Sequence, residues 1–296
     1  MKSFKELIEK VKQQPTKNVA VAACEDHEVI EAVIEASNMK LANFILFGDI
    51  NKTNDIIKEH EFNLPNNIKL INANTSKDAA EMAVKCVNQG QADVLMKGLV
   101  DTSIILKEVL NKEYGLRSNS ILSHVTMFEL PKLKRLIFLT DAAMNIDPTV
   151  NDLKEIIINA AKLTKSLGIE KPKVAVLSAV EKINPKMPST QKAKDVSDLF
   201  IDNEEVIVEG PLALDLAINE DAAITKGITG FIKGDANILA VPYIEVGNAL
   251  YKGWVFGCDN VKNAGVIVGA RRPIVLTSRA DTHEAKVYSI AISLLM

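Results

Sequence analysis

The nine residues LTSRADTHE, at positions 276–284, form the densest group of side chains that could do chemistry. They place hydroxyl groups, a guanidinium and two carboxylates around a predicted turn from a strand into a helix. The guanidinium of Arg279 can hold a phosphate group through two parallel hydrogen bonds, a geometry that lysine does not offer. Ser278 adds a hydrogen-bond donor, while Asp281 and Glu284 add carboxylates. A structural alternative stays open, in which Asp281 caps the last helix and pairs with Arg279 at the surface.

The loop that contains Lys97 is a second place where an anion could bind. The sequence MKG at 96–98 ends a predicted strand, and DTS at 101–103 begins the next helix. An anion there would meet the ammonium of Lys97 and the partial positive charge of helix-start amides. A tight turn with an exposed lysine explains the same residues equally well. Arg271 and Arg272 are either a further anion contact or part of a solvated edge.

A third candidate loop, NPKMPST at 184–190, follows a predicted strand and precedes a helix. Two prolines stiffen it, and Ser189 or Thr190 can cap the helix that follows. Asn184 and Lys186 add polar groups to the same loop. Ligand binding and simple capping are both consistent with this pattern.

The sequence PYIEVGN at 242–248 repeats the arrangement of a strand end that leads into a helix. Gly247 would allow a ligand to approach the backbone closely, because glycine has no Cβ. Asn248 and, further along the helix, Lys252 could supply polar contacts. The pattern indicates a binding loop without naming its ligand.

These loops need a frame of alternating strands and helices. Short runs rich in Val, Ile and Ala alternate with segments of helical period from residue 18 onward. Strands joined by helices of this length predict a parallel sheet with right-handed crossovers. The runs at 121–130 and 135–141 are only a few residues apart, which favours an antiparallel pair. The predicted fold class is α/β, with ligands beyond the carboxyl ends of the strands.

Capping residues predict where several helices begin. The candidates are Asp26, Thr75, Asp101 and Thr149, each placed before a segment of helical period. The last helix is predicted from about residue 281 to residue 294.

Composition excludes several classes of protein. The 296 residues are 47% hydrophobic and 25% charged, with a net charge of −3, which argues against a general nucleic-acid binder. The chain shows neither a signal peptide nor a membrane-spanning run. Its three cysteines lack metal-ligand spacing and suit a reduced, cytoplasmic protein.

Common catalytic signatures are missing. The sequence has no G-x-G-x-x-G after its first strand, no phosphate-binding loop ending in Gly-Lys-Ser/Thr and no G-x-S-x-G. Its four histidines are too scattered in sequence to predict a metal site.

Seven sequence blocks resemble the phosphate acetyl/butyryltransferase family and occur in that family's order. They are MKGLVDTS (96–103), LSHVTMFE (122–129), FLTDAAMN (138–145), NPKMPST (184–190), EGPLALDLA (209–217), PYIEVGNALYKG (242–253) and LTSRADTHEAK (276–286). The resemblance covers essentially the whole chain, and seven ordered blocks make it specific.

The resemblance implies two α/β lobes with mainly parallel sheets and an active-site cleft between them. The last helix would return to the first lobe, which gives a discontinuous first domain of residues 1–141 plus 265–296. Residues 142–264 would form the second domain.

The resemblance also implies an enzyme that transfers a short acyl group between coenzyme A and inorganic phosphate. The block SRADTHE is similar to the butyryl branch, whereas acetyltransferases more often read SRGCSVED. By this resemblance, Arg279 holds phosphate and Ser278 donates to the oxyanion. Asp281, His283 and Glu284 are the available substitutes for the base that handles the thiol proton, and Asp281 and Glu284 are the candidates carried forward. The acetyl branch's aspartate aligns with Ala285, so its role as base does not transfer.

The resemblance further implies direct transfer in a ternary complex. Coenzyme A would be a co-substrate, with no tightly bound cofactor, no metal, no nucleic acid and no membrane partner, and a homo-oligomer is expected. The residues predicted to bind the substrates are Lys97, Asn184, Lys186, Ser189, Thr190, Gly247, Asn248 and Lys252.

Three alternatives stay open. The first is a phosphate acetyltransferase that acts on acetyl-coenzyme A. The second is a metal-dependent dehydrogenase of the isocitrate type, for which Asp141, Asp147 and Asp152 form only a weak ligand pattern. The third is a non-catalytic sensor that binds acyl-coenzyme A.

Overall fold

A computed structural model describes residues 1–277 and 281–296 of the chain. The chain forms two compact units. The terminal unit contains residues 4–119 and 264–296, and the central unit contains residues 1–3 and 120–263. The domain boundary near residue 141 that the resemblance implied stays a prediction.

The helices alternate with the strands along the chain. They are α1 (Phe4–Lys12), α2 (His27–Asn38), α3 (Ile50–Glu59), α4 (Ser76–Asn88), α5 (Thr102–Val109), α6 (Val150–Ser166), α7 (Pro188–Asp198), α8 (Leu214–Ile218), α9 (Glu220–Thr225), α10 (Ile244–Gly257) and α11 (His283–Leu294).

The strands are short and mostly buried. They are β1 (Lys17–Ala22), β2 (Ala42–Gly48), β3 (Ile68–Asn72), β4 (Val94–Lys97), β5 (Ser123–Glu129), β6 (Leu136–Thr140), β7 (Lys173–Leu177), β8 (Ile207–Leu212), β9 (Ile238–Ala240), β10 (Lys262–Val268) and β11 (Ile274–Val275).

The terminal unit is built on a mainly parallel sheet with the strand order β3-β2-β1-β4-β11-β10. Among the strand pairs that the structure describes here, β10–β11 is antiparallel and the β3–β2, β2–β1, β1–β4 and β4–β11 pairs are parallel. Helix α11 packs against α2 and α1, so the last helix completes the unit that the first helix begins. Phe4 and Tyr288 stack at that junction, with ring centroids 4.3 Å apart.

The central unit has its own strand order, β5-β6-β9-β7-β8. Strands β5 and β6 are antiparallel, as their short connection predicted, and the β6–β9, β9–β7 and β7–β8 pairs are parallel. The predicted α/β class with mainly parallel strands is therefore confirmed. Phe128 lies at the centre of this unit's core, where the rings of Tyr251 and Trp254 pack against it.

Most helix starts agree with the capping prediction. The side chains of Asp26, Thr75 and Thr149 each accept a backbone amide at the start of α2, α4 and α6. Asp101 precedes α5 without a side-chain cap. The predicted start of the last helix was wrong by two residues, because the hydroxyl of Thr282 accepts the amide of Ala285 and caps α11.

Among the helices of the described residues, none combines the length and the apolar character that crossing a bilayer requires.

Candidate active site

Three neighbouring strand ends form one edge of the terminal-unit sheet. Strands β1, β4 and β11 are parallel neighbours, so their carboxyl ends at Ala22, Lys97 and Val275 lie side by side. The loops after them, the start of α2 and one residue of α11 line a pocket of about 170 Å³. A pocket at this edge agrees with the general position of ligands in parallel α/β sheets.

Gly98 sets the path of the loop after β4. Its amide donates to the carbonyl of Ala22 at 2.8 Å, and the amide of Leu99 donates to the carbonyl of Ala23 at 2.6 Å. A Cβ at position 98 would lie 2.1 Å from the Ala23 carbonyl oxygen. Only glycine allows this approach, which fixes the neighbouring Lys97 at the pocket.

The side chain of Lys97 lies inside the protein. The residue is 8% exposed, and its Nζ donates to the carbonyl of Gly98 at 3.3 Å. The alternative of a tight turn with an exposed lysine is therefore wrong. A buried ammonium requires compensation by hydrogen bonds or an opposite charge. Lys97 therefore adds a positive charge to the lining of the pocket.

Lys286 is a second buried cation, and the sequence analysis gave it no role. It is 4% exposed and lines the same pocket. Its Nζ donates to Glu28 Oε2 at 2.6 Å and to the carbonyl of Asp281 at 2.5 Å. The sequence carries no local signal for this role, because the partner Glu28 lies 258 positions away in the chain.

The first turn of α2 forms another wall of the pocket. The carboxylate of Asp26 accepts the amide of Val29 at 3.1 Å, as expected of an N-cap. Glu28 follows in the first turn, and its side chain is 46% exposed. The wall therefore combines two carboxylates with the partial positive charge of a helix start.

Ser278 and Arg279, the residues predicted to contact phosphate and the oxyanion, lie outside the described residues. Their neighbours are described: Thr277 lines the pocket, and Asp281 is 7% exposed. The backbone carbonyl of Asp281 accepts a hydrogen bond from Lys286, which also lines the pocket. The two flanks of the Ser-Arg pair are thus both tied to this site.

The two candidates for the thiol proton differ in environment. Asp281 is buried, whereas Glu284 is exposed on the first turn of α11. Tyr288 Oη donates to the carboxylate of Glu284 at 2.7 Å, a contact within the helix. The structural alternative, in which Asp281 caps the last helix, is wrong because Thr282 does so.

Three of the four histidines lie on one face of the terminal unit, although they are scattered in sequence. The rings of His27 and His60 have centroids 3.9 Å apart. His283 Nε2 lies 3.4 Å from Glu35 Oε2, and its Nδ1 lies 3.8 Å from Glu31 Oε2. Within residues 1–277 and 281–296, no three His, Cys, Asp or Glu side chains are arranged to hold a metal ion.

In the central unit, the loop at 184–190 organises itself through internal hydrogen bonds. The hydroxyl of Thr190 accepts the amide of Asn184 at 2.9 Å and donates to the carbonyl of Met187 at 2.8 Å. The expectation that Ser189 or Thr190 caps the helix is wrong, because Met187 is the N-cap and makes no side-chain cap bond. Ser189 instead shares a hydrogen bond of 3.1 Å with Ser178.

Lys186 and Lys252 are both exposed cations of the central unit. The amide of Lys186 donates to Asn184 Oδ1 at 3.0 Å, which holds the backbone of the loop while its side chain reaches solvent. Lys252 lies on α10, one turn beyond Asn248. Both ammonium groups are available for a phosphate group of a large ligand.

Gly247 was expected to allow a ligand to approach the backbone closely. In the structure, the group that approaches it is the backbone of this chain. A Cβ there would lie 2.6 Å from the carbonyl oxygen of Asp141. Asn248 Nδ2 donates to the carbonyl of Ala142 at 3.2 Å. The start of α10 is thus fixed against the loop after β6. Position 247 requires glycine because the two backbones pack closely there.

Lys192 joins the two predicted binding loops, and the sequence analysis missed it. Its Nζ lies 4.2 Å from the ring centroid of Tyr243 and donates to the carbonyl of Pro148 at 3.0 Å. It also pairs with the carboxylate of Asp147. Helix α7 and the loop before α10 are therefore held together by one cation.

The carboxylate of Asp141 is fully used by N–H donors. It accepts the amides of His124 at 3.1 Å, Ala143 at 2.9 Å and Met144 at 2.9 Å, and Asn145 Nδ2 at 2.7 Å. A carboxylate with four such donors holds a loop and has no lone pair left for a metal. The dehydrogenase alternative therefore loses one of its three candidate ligands.

Burial raises the pKa of the Cys24 thiol to about 11, although a hydrogen bond with Thr53 acts in the opposite direction. Because the thiolate is the nucleophilic form, Cys24 is a poor nucleophile at neutral pH.

Arg271 behaves as a structural residue. Its guanidinium donates to Asn88 Oδ1 and to the carbonyl of Gly115, both at 2.6 Å. Arg272 lies 3.9 Å from Asp93 with its side chain 47% exposed. The solvated-edge interpretation of this pair fits both residues.

Comparison with known proteins places this arrangement in a family. The chain matches the phosphate acetyl/butaryl transferase family over residues 3–85 and 74–294. It belongs to this family. The resemblance carried by the seven sequence blocks is confirmed.

Members of the phosphate acetyl/butaryl transferase family resemble the chain over its full length. It is 46% identical to a phosphate butyryltransferase of Clostridium acetobutylicum, over 100% of this chain and 98% of the relative. It is 39% identical to a phosphate acetyltransferase of Thermotoga maritima, over 94% of each. A crystal structure of a branched-chain phosphotransacylase from Enterococcus faecalis V583 superposes with a TM-score of 0.85, at 40% identity over 95% of this chain and 98% of that one.

Proposed function

We propose that this protein transfers a butyryl group between coenzyme A and inorganic phosphate. The observation that carries the proposal is the small pocket of the terminal unit. Two buried ammonium groups, Lys97 and Lys286, line it together with Thr277, the residue directly before Ser278 and Arg279. A small anion is the ligand that this group of donors and charges suits best.

In the proposed reaction, a phosphate oxygen attacks the thioester carbonyl carbon of butyryl-coenzyme A. A bond between carbon and the phosphate oxygen forms, the carbon–sulfur bond breaks, and the sulfur leaves as the thiolate and takes up a proton. Phosphate is a weak nucleophile, so holding it beside the carbonyl supplies much of the rate increase. No covalent bond to the protein forms.

Arg279 is proposed to hold the phosphate and Ser278 to donate a hydrogen bond to the developing oxyanion. Such a donor contributes about 2.7–4 kcal/mol of transition-state stabilisation. Asp281 and Glu284 are the candidates for moving the thiol proton. The burial of Asp281 favours it, because the exposed carboxylate of Glu284 is already hydrogen-bonded to Tyr288.

Coenzyme A is proposed to bind the central unit through the exposed ammonium groups of Lys186 and Lys252. Phosphate groups of the coenzyme are natural partners for such flexible cations. The other predicted binding residues there shape the two loops, namely Asn184, Ser189, Thr190, Gly247 and Asn248. A homo-oligomeric state and a cytoplasmic location stay predictions.

The butyryl branch is proposed because the chain is 46% identical to the Clostridium butyryltransferase and 39% identical to the Thermotoga acetyltransferase. An apolar pocket discriminates by only about 1–3 kcal/mol per methylene, so acetyl-coenzyme A is the second substrate to test.

The deciding experiment follows thiol release from butyryl-coenzyme A, with and without phosphate, beside acetyl- and isobutyryl-coenzyme A. Phosphate-dependent release that is fastest with butyryl-coenzyme A supports the proposal. Faster release from acetyl-coenzyme A would reassign the chain to the acetyl branch. Binding of butyryl-coenzyme A by folded protein without any release would favour the non-catalytic sensor.

A further inference from the structure

We propose that Lys286 binds the phosphate substrate in the terminal-unit pocket together with Lys97, and that Glu28 competes with phosphate for Lys286. This inference rests on the proposed function, because phosphate is the anion that the proposed reaction consumes. It gives the last helix a direct substrate contact in addition to the predicted role of Arg279.

The hydrogen bonds of Lys286 are the first observation. An ammonium group carries three N–H donors. One goes to Glu28 Oε2 at 2.6 Å and one to the carbonyl of Asp281 at 2.5 Å. Among the residues that the structure describes, the third has no partner, although the side chain is only 5% exposed and lines the pocket. A buried donor without an acceptor is destabilising, and an anion in the pocket would satisfy it.

The other walls of the pocket add groups that suit the same anion. Lys97 is 8% exposed and also lines the pocket. Thr277 contributes a hydroxyl donor. The first turn of α2, which spans twelve residues, adds the partial positive charge of its amides.

Two carboxylates also line the pocket, so the formal charges of its two lysines and two carboxylates sum to zero. The carboxylate of Asp26 is committed to the amide of Val29 at 3.1 Å. Glu28 differs, because its side chain is 46% exposed and can turn to solvent. Entry of phosphate therefore exchanges the Glu28 contact of Lys286 for a phosphate contact.

The size of the pocket favours a small anion over a nucleotide. Its volume of about 170 Å³ compares with about 30 Å³ for each water in the liquid, so it holds a tetrahedral oxyanion and a few waters. Sites for drug-sized ligands have volumes of about 300–1,000 Å³. Coenzyme A as a whole does not fit in it.

A purely structural role for Lys286 makes a different prediction, which two variants separate. If the lysine only pins α11 to α2, then Lys286→Met and Glu28→Gln break the same ion pair and have similar effects. If Lys286 binds phosphate, the two variants act in opposite directions. Lys286→Met removes a phosphate contact, whereas Glu28→Gln removes the competing charge.

The kinetic test measures KM for phosphate and for butyryl-coenzyme A separately in the full-length protein. Lys286→Met is expected to raise the KM for phosphate about 10-fold or more, the scale of one lost charge-assisted hydrogen bond, with a much smaller change for butyryl-coenzyme A. Glu28→Gln is expected to lower the KM for phosphate by about 2-fold or more. Lys12→Met is the control, since Lys12 forms an exposed ion pair with Glu9 in the same unit.

The binding test needs no turnover. Inorganic phosphate is added at constant ionic strength, with chloride as the reference salt, and the midpoint of thermal unfolding is measured. The wild type and Glu28→Gln should show a saturable rise in midpoint that Lys286→Met lacks. Glu28→Gln keeps the test decisive even if Lys286→Met does not fold.

These two tests distinguish failure of the proposed role of Lys286 from failure of the proposed transferase function. Phosphate-dependent thiol release with an unchanged phosphate KM in Lys286→Met overturns the role of Lys286 and leaves the function standing. Equal effects of Lys286→Met and Glu28→Gln overturn it as well, as does a wild type whose midpoint does not respond to phosphate. A saturable response without thiol release keeps the anion site and removes the transferase.

Discussion

Lys286 Nζ and Glu28 Oε2 lie 2.6 Å apart and join the last helix to the first turn of α2 across 258 positions of sequence. The lysine is 5% exposed and the glutamate 46% exposed, so one partner of this pair is fixed and the other can be hydrated. The pair closes one side of the pocket at the carboxyl ends of β1, β4 and β11. Its strength therefore bears on how tightly an anion can bind there.

Replacing the predicted phosphate ligand should abolish most activity. Arg279→Ala is expected to lower kcat/KM for the phosphate-dependent reaction by about 10²–10³-fold, since the lost contact belongs to the reacting phosphate. Ser278→Ala should lower kcat by a similar factor. Steady-state kinetics on variants with unchanged circular dichroism would check this, and near-normal turnover in Arg279→Ala would remove its assigned role.

The two carboxylates near the start of α11 should differ in effect. Asp281→Asn is expected to lower kcat by about 10²-fold or more, whereas Glu284→Gln should change it by less than about 3-fold, if Asp281 moves the thiol proton. The dependence of kcat on pH in each variant provides the check. A larger loss in Glu284→Gln would reverse the assignment.

Gly98→Ala should destabilise the terminal unit. The new Cβ would lie 2.1 Å from the Ala23 carbonyl oxygen, so the backbone of one loop must shift, at about 1–3 kcal/mol or more. Chemical denaturation measures the change in the free energy of unfolding. Gly253→Ala is the matched control, because no atom lies within 4 Å of its new Cβ and alanine favours the helix.

Asp141→Asn should destabilise the loop after β6. An amide group has one oxygen where the carboxylate has two, so its NH₂ group would face N–H donors from the same loop. The expected loss is about 3 kcal/mol, the upper part of the range for a buried unsatisfied group. Denaturation of Asp141→Asn beside Asp55→Asn, which changes an exposed carboxylate of α3, would check it.

The thiol of Cys24 should make stability depend on pH in the alkaline range. Its pKa is raised from 9.0 to about 11 by burial, so the folded state keeps its proton where the unfolded state loses it. The contribution is fully present below pH 9 and is lost as the pH rises through 11, to a total of about 3 kcal/mol. Cys24→Ala should show a flatter decline over this window, and parallel curves for the two proteins would contradict the effect.

Much of the frame could be predicted from the sequence because it depends on local signals. Buried strands, alternating helices and the side chains of Asp26, Thr75 and Thr149 at helix starts are all encoded within a few residues. The last helix was placed two residues early because Asp281 and Thr282 both have capping side chains, and only the backbone decides between them.

The pocket itself could be predicted only in part, because its residues are distant in sequence. Lys97 was singled out as the end of a strand, but its burial depends on Gly98 packing against the β1 loop. Lys286 looked like an ordinary helix residue until its partner Glu28 was known. The cluster of His27, His60 and His283 was missed for the same reason.

The terminal unit combines residues 4–119 with residues 264–296, so its two parts are synthesised at different times. Strand β4 ends at Lys97, but its parallel neighbour β11 begins at Ile274. At about 5–20 residues per second, a ribosome needs roughly ten seconds or more to make the intervening stretch. During that interval the edge of β4 is exposed on the nascent chain. The unit becomes a closed body only after α11 has been made, so removal of this helix takes away the ammonium of Lys286 together with a helix that packs on β4 and β11.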